Sequence, residues 1–458
     1  MSFFATVALL FVLIIRPQEI WPFLADLRLL DLFTALSALG VLIDFGRREQ
    51  RDPYSPQLPF VVAFVFSCYF STGLVLGREA VALGNGLLAL VFMCVVMYGA
   101  RTFQRLRALL VLLLILAGLV AAVAVHQGQV APVCVQMVVT SDGEIQPALE
   151  TADGRSCINA SSCREEDRFD IDWACERLGL FDTVSIGRRV RWRGQLNDPN
   201  ELSVFIAIVM PLVFAVGITA RRKFWALIGL VGIGVGLYAV ILSQSRGGQL
   251  VVATIFLVYF VSRFGWKGLL FGAVFALPVL LLGGRDDEDA DSSSEERMQL
   301  LYDGIRVAFD HPIFGVGKDQ FKEHVSIHLT AHNAYLLAAT ELGIPGFFAW
   351  SGIFWTSVKI PFSVVRSPPP LLSKDVLPIA KALLASFIGL SIGIFFLSFT
   401  YKQLLFVWFG ISGALYGVVR HEDPSFRVTI GWKDFVAIGL IDAAILGFIF
   451  FYSRYKVG

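Results

Sequence analysis

The stretch LRALLVLLLILAGLVAAVAV, residues Leu106–Val125, is apolar throughout except for Arg107 near its start. A helix needs about 20 predominantly apolar residues to cross the hydrocarbon core of a bilayer. Similar runs recur along the whole chain, which is 56% hydrophobic and only 16% charged. Soluble domains are about 25% charged. This composition excludes a soluble enzyme, a nucleic-acid-binding protein and a disordered scaffold.

The apolar runs predict an all-α polytopic integral membrane protein with about 12–13 transmembrane helices. Residues 1–125, 200–282 and 335–458 are predicted as three groups of membrane helices, separated by two long polar loops at 126–199 and 283–334. The candidate spans are residues 3–15, 27–45, 58–76, 80–100, 106–125, 202–220, 224–242, 250–261, 269–282, 335–354, 376–399, 404–419 and 435–451.

Basic residues predict which side of the membrane each loop occupies. Short loops rich in Lys and Arg stay in the cytoplasm. Such residues follow each even-numbered candidate span, beginning with Arg47, Arg48 and Arg51 after the second and continuing with Arg221 and Arg222 after the sixth. We therefore expect a bacterial inner-membrane protein whose two long loops lie on the external, periplasmic side.

Four of the six cysteines lie in the first long loop, at Cys134, Cys157, Cys163 and Cys175. In an oxidising compartment, four cysteines indicate two disulfides, for which three pairings are possible. A metal site is the weaker alternative, because neither a C-x-x-C pair nor a nearby histidine accompanies these cysteines.

Four of the six histidines crowd into the second long loop. The spacing of His324, His328 and His332 would form a metal-binding face on a helix, but the apolar run that follows Asn333 disfavours that arrangement. The acidic run at residues 285–291 also suggests metal binding, yet its low complexity and high charge predict a solvated loop. We predict neither a metal nor a cofactor.

A specific motif surrounds His332. The pair His332-Asn333 is followed by nine residues, then Gly343, two residues and Gly346, and the run HPIFGVG lies upstream at residues 311–317. The runs RGQLNDPNEL at 193–202 and SQSRGG at 243–248 add to this pattern. Together they resemble the signature region of the O-antigen ligase and O-antigen polymerase superfamily. The resemblance covers residues 191–346, and the first 190 residues match in topology alone.

The resemblance implies a membrane glycosyltransferase that moves a glycan from a polyprenyl diphosphate to an acceptor hydroxyl, on the periplasmic face, in surface polysaccharide biosynthesis. The acceptor is lipid A-core in a ligase, a glycan repeat unit in a polymerase, or a protein hydroxyl in some relatives. The family is taken to work without a metal, and the reaction is expected to invert the anomeric centre. The sequence leaves these acceptors open.

The expected chemistry needs a base for the acceptor hydroxyl and positive charge for the departing diphosphate. An imidazole suits the base because its unperturbed pKa, about 6.5, is near the working pH, and a guanidinium suits the diphosphate because its planar fork binds phosphate oxygens bidentately. The predicted site comprises His332 as base, Arg191, Arg193, Arg246 and Arg297 as diphosphate ligands, and Asn333, Gly315 and Gly317 in support.

Three neighbouring residues receive structural roles in this interpretation. Arg188 and Arg189 are expected at the protein surface or against lipid headgroups. Tyr335 is expected to be an interfacial anchor.

A transporter of polysaccharide or lipid-linked oligosaccharide is the rival function, although proton-coupled transporters usually carry more charged groups at mid-membrane depth. A membrane scaffold is disfavoured by the His and Arg clusters in the loops.

Overall fold

A computed structural model describes residues 1–46, 54–75, 77, 79–139, 145–147, 151–163, 172–219, 223–282 and 288–457. The helices are α1 (Ser2–Ile15), α2 (Pro17–Ile20), α3 (Leu29–Gly46), α4 (Leu58–Cys68), α5 (Glu79–Gly99), α6 (Phe103–Gln129), α7 (Pro199–Thr219), α8 (Lys223–Leu242), α9 (Arg246–Phe264), α10 (Gly268–Leu282), α11 (Glu288–Asp310), α12 (Ala334–Arg366), α13 (Val376–Gly393), α14 (Gln403–Glu422) and α15 (Trp432–Val457). The strands are β1 (Val133–Val139), β2 (Ile145–Pro147) and β3 (Trp173–Glu176).

The predicted fold class is confirmed. Among the described residues, nine helices are long and apolar enough to cross a membrane, and three shorter apolar helices accompany them. Five of the basic residues on which the predicted orientation rests lie outside the described residues, namely Arg47, Arg48, Arg51, Arg221 and Arg222. The prediction that the loops face the periplasm therefore stays a prediction.

One element, helix α11, differs from the expectation for the second long loop. The second loop contains α11, which begins at Glu288, so the acidic run predicted as a loop is helical from that residue onward. Its preceding residues 285–287 lie outside the described part of the chain. The helix is amphipathic after residue 299. Its apolar residues Leu300, Ile305 and Ala308 recur at helical spacing, and all three are buried.

The described chain divides into two compact units. The first unit contains residues Met1–Leu9, Asp31–Leu109 and Arg285–Gly458, and the second contains residues Leu10–Leu30 and Leu110–Gly284. The predicted base His332 and Arg297 lie in the first unit. Arg191, Arg193 and Arg246 lie in the second unit.

The long helix α12 forms the core of the first unit, where it packs against α4, α11, α13, α14 and α15. Small residues let its neighbours approach closely, because a Cβ on Gly352 would overlap the ring of Phe60. The indole N–H of Trp350 donates to the Thr400 carbonyl at 3.1 Å. The helix is fixed to α15 where the Lys359 ammonium pairs with the Asp434 carboxylate at 2.5 Å.

The second unit joins a helix bundle to a small sheet. Helix α7 packs against α8 and α9, and α9 packs against α10. The sheet is antiparallel with the order β2-β1-β3, and Cys134 lies opposite Cys175 across the β1–β3 pair. Disulfides join Cys134 to Cys163 and Cys157 to Cys175. The sequence left three pairings open, and the structure contains this one.

Candidate functional site

His332 sits in a strained turn immediately before α12. Its φ angle is 45°, in the left-handed region that non-glycine residues rarely adopt. The hydroxyl oxygen of Ser398 accepts a hydrogen bond from the His332 N–H at 2.9 Å and another from the Thr330 hydroxyl at 2.8 Å. Strained backbone of this kind persists when its surroundings hold it in place, and it concentrates at functional sites. The half-buried imidazole of His332 is therefore attached to a turn whose backbone is held by Ser398.

Asn333 begins α12 as its N-cap. Its side-chain oxygen accepts a hydrogen bond from the Leu336 N–H at 2.9 Å, which satisfies one of the unpaired donors of the first helical turn. The side chain is fully buried. The Thr400 hydroxyl donates to the Ala334 carbonyl at 2.7 Å on the same turn. Asn333 therefore fixes the orientation of the residue before it, His332.

The glycines of the upstream motif bring its backbone against α12. The Val316 and Gly317 N–H groups donate to the carbonyls of Thr340 and Glu341, each at 3.0 Å. Gly315 and Gly317 have φ angles of 66° and 96°, and a Cβ on Gly315 would overlap the Glu341 carbonyl. Glycine is needed here for both the positive φ and the close approach.

Gly343 within α12 is the second glycine at which α12 and the upstream 311–317 motif approach each other closely. Its φ angle is 69°, so the helix is kinked at this point. A Cβ on Gly343 would overlap the Ile313 carbonyl, and the next N–H, from Ile344, donates to the Pro312 carbonyl at 2.8 Å. The two glycine motifs of the sequence therefore meet each other in the first unit.

Glu341 lies at this junction and was missed by the sequence reasoning. Its carboxylate is 1% exposed, and one oxygen accepts a hydrogen bond from the Phe321 N–H at 3.2 Å. The hydroxyl of Tyr401, which is also buried, interacts with this carboxylate. Burial, followed by the nearby Glu341 charge, raises the pKa of Tyr401. A carboxylate inside a candidate span was the signal that could have identified it.

The remaining loop histidines do not form the metal-binding face considered from the sequence. His328 and His332 both have positive φ angles, of 57° and 45°, and residues 325–332 are not helical. The His324 ring lies instead 6.0 Å from that of His311, edge to face. Among the described residues, the one group that could hold a metal consists of cysteines already joined in disulfides.

Two of the predicted arginines lie on the segment that leads into α7. Arg191 is buried, its Nε donates to the Val184 carbonyl at 2.7 Å, and burial lowers its pKa. Arg193 is half-buried, and burial lowers its pKa as well. Its guanidinium donates to the carbonyls of Glu19, at 2.8 Å, and Phe181. Arg193 is therefore closer to solvent than Arg191.

Arg246 is the first residue of α9 and is exposed. The hydroxyl of Ser245 caps this helix by accepting a hydrogen bond from the Gly248 N–H at 3.1 Å. A Cβ on Gly248 would overlap the Ser203 side chain, so this glycine lets α9 pack tightly on α7. Arg246 thus stands at the positive end of a helix dipole, where anions are favoured.

Two expectations about neighbouring residues were wrong. Arg189 was expected at the surface or against lipid, but it donates to the Ser243 carbonyl and to the Asn200 side chain, each at 2.9 Å. It therefore joins the 188–193 segment to the ends of α7 and α8. Tyr335 was expected as an interfacial anchor, but it is 8% exposed and donates to the Ser391 carbonyl at 3.0 Å.

Comparison with known protein families matches one segment, which contains the His332 turn, both glycine motifs and Arg246. Residues 233–351 match the family model described as O-antigen ligase. This segment is similar to the O-antigen ligase family, and we call residues 233–351 the O-antigen ligase domain. The superfamily resemblance drawn from the sequence is confirmed. No curated protein matches the chain.

The O-antigen ligase domain contains most of the predicted site. It runs from within α8 through α9, α10 and α11 into the first half of α12. Its matched residues include the predicted base His332 and the arginines Arg246 and Arg297, and Arg297 lies on α11 in the first unit. Arg191 and Arg193 precede it. The family indicates glycosyltransferase activity that uses a lipid-linked glycan and an acceptor in a membrane.

Proposed function

We propose that this protein transfers a glycan from a polyprenyl diphosphate to an acceptor hydroxyl on the periplasmic face of a bacterial inner membrane. The observation that carries the proposal is the strained turn at His332, which Ser398 and the Asn333 cap hold in place inside the O-antigen ligase domain. A general base must be presented to its substrate at a fixed angle, and the contacts of Ser398 and Asn333 fix the His332 turn in this way.

The reaction needs one proton transfer and one displacement. The His332 imidazole takes the proton from the acceptor hydroxyl, and the acceptor oxygen attacks the anomeric carbon of the donor glycan. The bond between that carbon and the diphosphate oxygen breaks, and its electron pair leaves with polyprenyl diphosphate. Because attack and departure occur on opposite sides of the carbon, the anomeric configuration is inverted.

The arginines have the second role in this proposal. The diphosphate gains negative charge as the bond breaks, and guanidinium groups stabilise that charge without giving up a proton. We assign this role to Arg191, Arg193, Arg246 and Arg297. Exposure and a helix amino terminus support Arg246, and partial exposure supports Arg193. Arg191 is buried and its Nε donates to the Val184 carbonyl, so Arg191 has less support for this role than the exposed Arg246.

Purified protein in lipid vesicles, supplied with a polyprenyl-diphosphate-linked repeat unit, tests the proposal. Arg246→Ala should lower the transfer rate by about 100-fold, the typical effect of removing one preorganised donor. Arg105→Ala, at the start of α6, is the matched control and should transfer normally. A ladder of lengthening products identifies a polymerase, and one transfer to lipid A-core or protein identifies a ligase or a protein glycosyltransferase. Movement of intact donor across the bilayer without transfer contradicts the proposal and supports a transporter.

A further inference from the structure

An arginine that the sequence reasoning did not select lies against the 192–194 segment. Arg16 follows α1 and precedes the short helix α2, with a left-handed φ angle of 56°. Its side chain crosses Gly194, whose own φ angle is 54°, and a Cβ on Gly194 would overlap that side chain. Glycine at position 194 therefore makes room for the Arg16 guanidinium.

Two consecutive residues, Trp192 and Arg193, hold the segment with Arg16 against residues 192–194. All of these residues belong to the second unit. The Trp192 indole N–H donates to the Ile14 carbonyl at 2.7 Å, and the Arg193 guanidinium donates to the Glu19 carbonyl at 2.8 Å. Arg16 and Arg193 are thus held on the same short stretch where residues 192–194 meet residues 14–19. The two arginines therefore lie on two chain segments that contact each other.

The polar groups around Arg16 and Arg193 do not supply a hydrogen-bond partner for every N–H of the two guanidinium groups. The Nε atoms of Arg16 and Arg193 are buried and have no hydrogen-bond partner among the described residues. The side-chain oxygens of Gln18 and Gln195 are also buried without a hydrogen-bond partner among the described residues. The Glu19 carboxylate approaches Arg16 only to 3.7 Å, beyond hydrogen-bonding distance, and it is partly exposed. Buried polar atoms of proteins almost always have partners, so four at one junction point to a polar ligand.

We propose that Arg16 and Arg193 together bind the diphosphate of the polyprenyl-linked donor, with Gln18 and Gln195 available to the hydroxyls of its first sugar. The assignment rests on the proposed function and adds residues that lie outside the O-antigen ligase domain. Two guanidinium forks match the several oxygens of a diphosphate. The glutamine oxygens are acceptors, as sugar hydroxyls require.

Equilibrium binding to purified full-length protein in nanodiscs tests this assignment. The probes are farnesyl diphosphate, inorganic pyrophosphate and farnesol, which separate the diphosphate from the lipid chain. Arg16→Ala should raise the dissociation constant for both diphosphates at least tenfold and leave that for farnesol unchanged. Arg28→Ala, an exposed arginine of the same segment, is the matched control and should change none of them. Arg16→Lys should recover part of the loss, because it keeps the charge without the fork.

Gly194→Ala provides an independent variant that leaves Arg16 in the sequence. Its added Cβ displaces the Arg16 side chain, so it should weaken diphosphate binding, and the double variant should bind no worse than Arg16→Ala alone. Thermal unfolding of each variant identifies any that misfolds. Wild-type affinity for both diphosphates in a folded Arg16→Ala variant overturns the inference, and so does an equal loss of farnesol binding.

The outcomes also separate this inference from the proposed function. If the wild type binds diphosphates through Arg16 but transfers no glycan, the proposed function fails and the binding site stands. If Arg16→Ala binds diphosphates and transfers glycan as the wild type does, the proposed function stands and the binding site fails.

Discussion

Ser398 determines the geometry of His332, because its hydroxyl oxygen accepts the His332 N–H at 2.9 Å. Ser398 lies between α13 and α14, far from His332 in the sequence, and it also binds the Thr330 hydroxyl. One serine therefore holds both sides of the strained turn. The imidazole is positioned by this contact and by the Asn333 cap that follows it.

Ser398→Ala should lower the rate of glycan transfer. Loss of both hydrogen bonds lets the His332 turn relax, and a displacement of about 1 Å costs about 100-fold in rate. We expect kcat to fall by about 10- to 100-fold with little change in the KM for the donor. Ser391→Ala, which removes a local bond to the Ile388 carbonyl, is the matched control. A Ser398→Ala variant with wild-type kcat would show that the turn is held by other contacts.

Glu341→Ala should destabilise the first unit. It leaves the Phe321 N–H without its acceptor in a buried position, which costs about 1–3 kcal/mol, and it also leaves a cavity. Thermal unfolding in detergent should show a lower Tm than the wild type. The exposed Glu323, changed to Ala, is the control and should unfold as the wild type does. Equal melting of the two variants would argue against a structural role for Glu341.

Gly343→Ala tests the contact between the two glycine motifs. Its φ angle of 69° disfavours any side chain, and the new Cβ would overlap the Ile313 carbonyl. We expect a loss of more than about 1 kcal/mol in the free energy of unfolding, from backbone strain alone. Gly447→Ala, at an open position on α15, should have a small effect. A Gly343→Ala variant as stable as Gly447→Ala would contradict the kinked junction.

The disulfide pairing can be mapped directly. Proteolysis without a reductant, followed by mass spectrometry, should recover a peptide that links Cys134 to Cys163 and another that links Cys157 to Cys175. Cys68 and Cys94 should be the two cysteines that an alkylating reagent modifies in the unfolded, unreduced protein. Removing either bridge should destabilise the loop by about 2–4 kcal/mol. Peptides with a different pairing would refute the sheet described for this loop.

The sequence predicted those features that depend on local composition. Apolar runs located the membrane helices because a span must satisfy its backbone internally, and the spacing of Gly315, Gly317 and Gly343 pointed to the signature region. The features that it missed depend on contacts between distant residues. Nothing in the pattern around Tyr335 indicates that its hydroxyl reaches Ser391, and four cysteines do not specify their own pairing.

The arginines illustrate the same limit within the candidate site. Their number and the adjoining motif predicted diphosphate ligands, but the Nε of Arg191 donates to the Val184 carbonyl, which only the fold brings near. Arg16 was overlooked because it follows an apolar run with no motif of its own. Its relation to Gly194 appears only once the two segments are placed together.

Replacement of His332 tests the central claim most directly. The measurement is the initial rate of glycan transfer by reconstituted wild type, His332→Ala and His328→Ala, the last being a histidine of the same loop that also has a positive φ angle. We predict that His332→Ala loses at least about 100-fold, as expected for a general base, while His328→Ala stays within about twofold of the wild type. Transfer by folded His332→Ala at the wild-type rate would contradict the account.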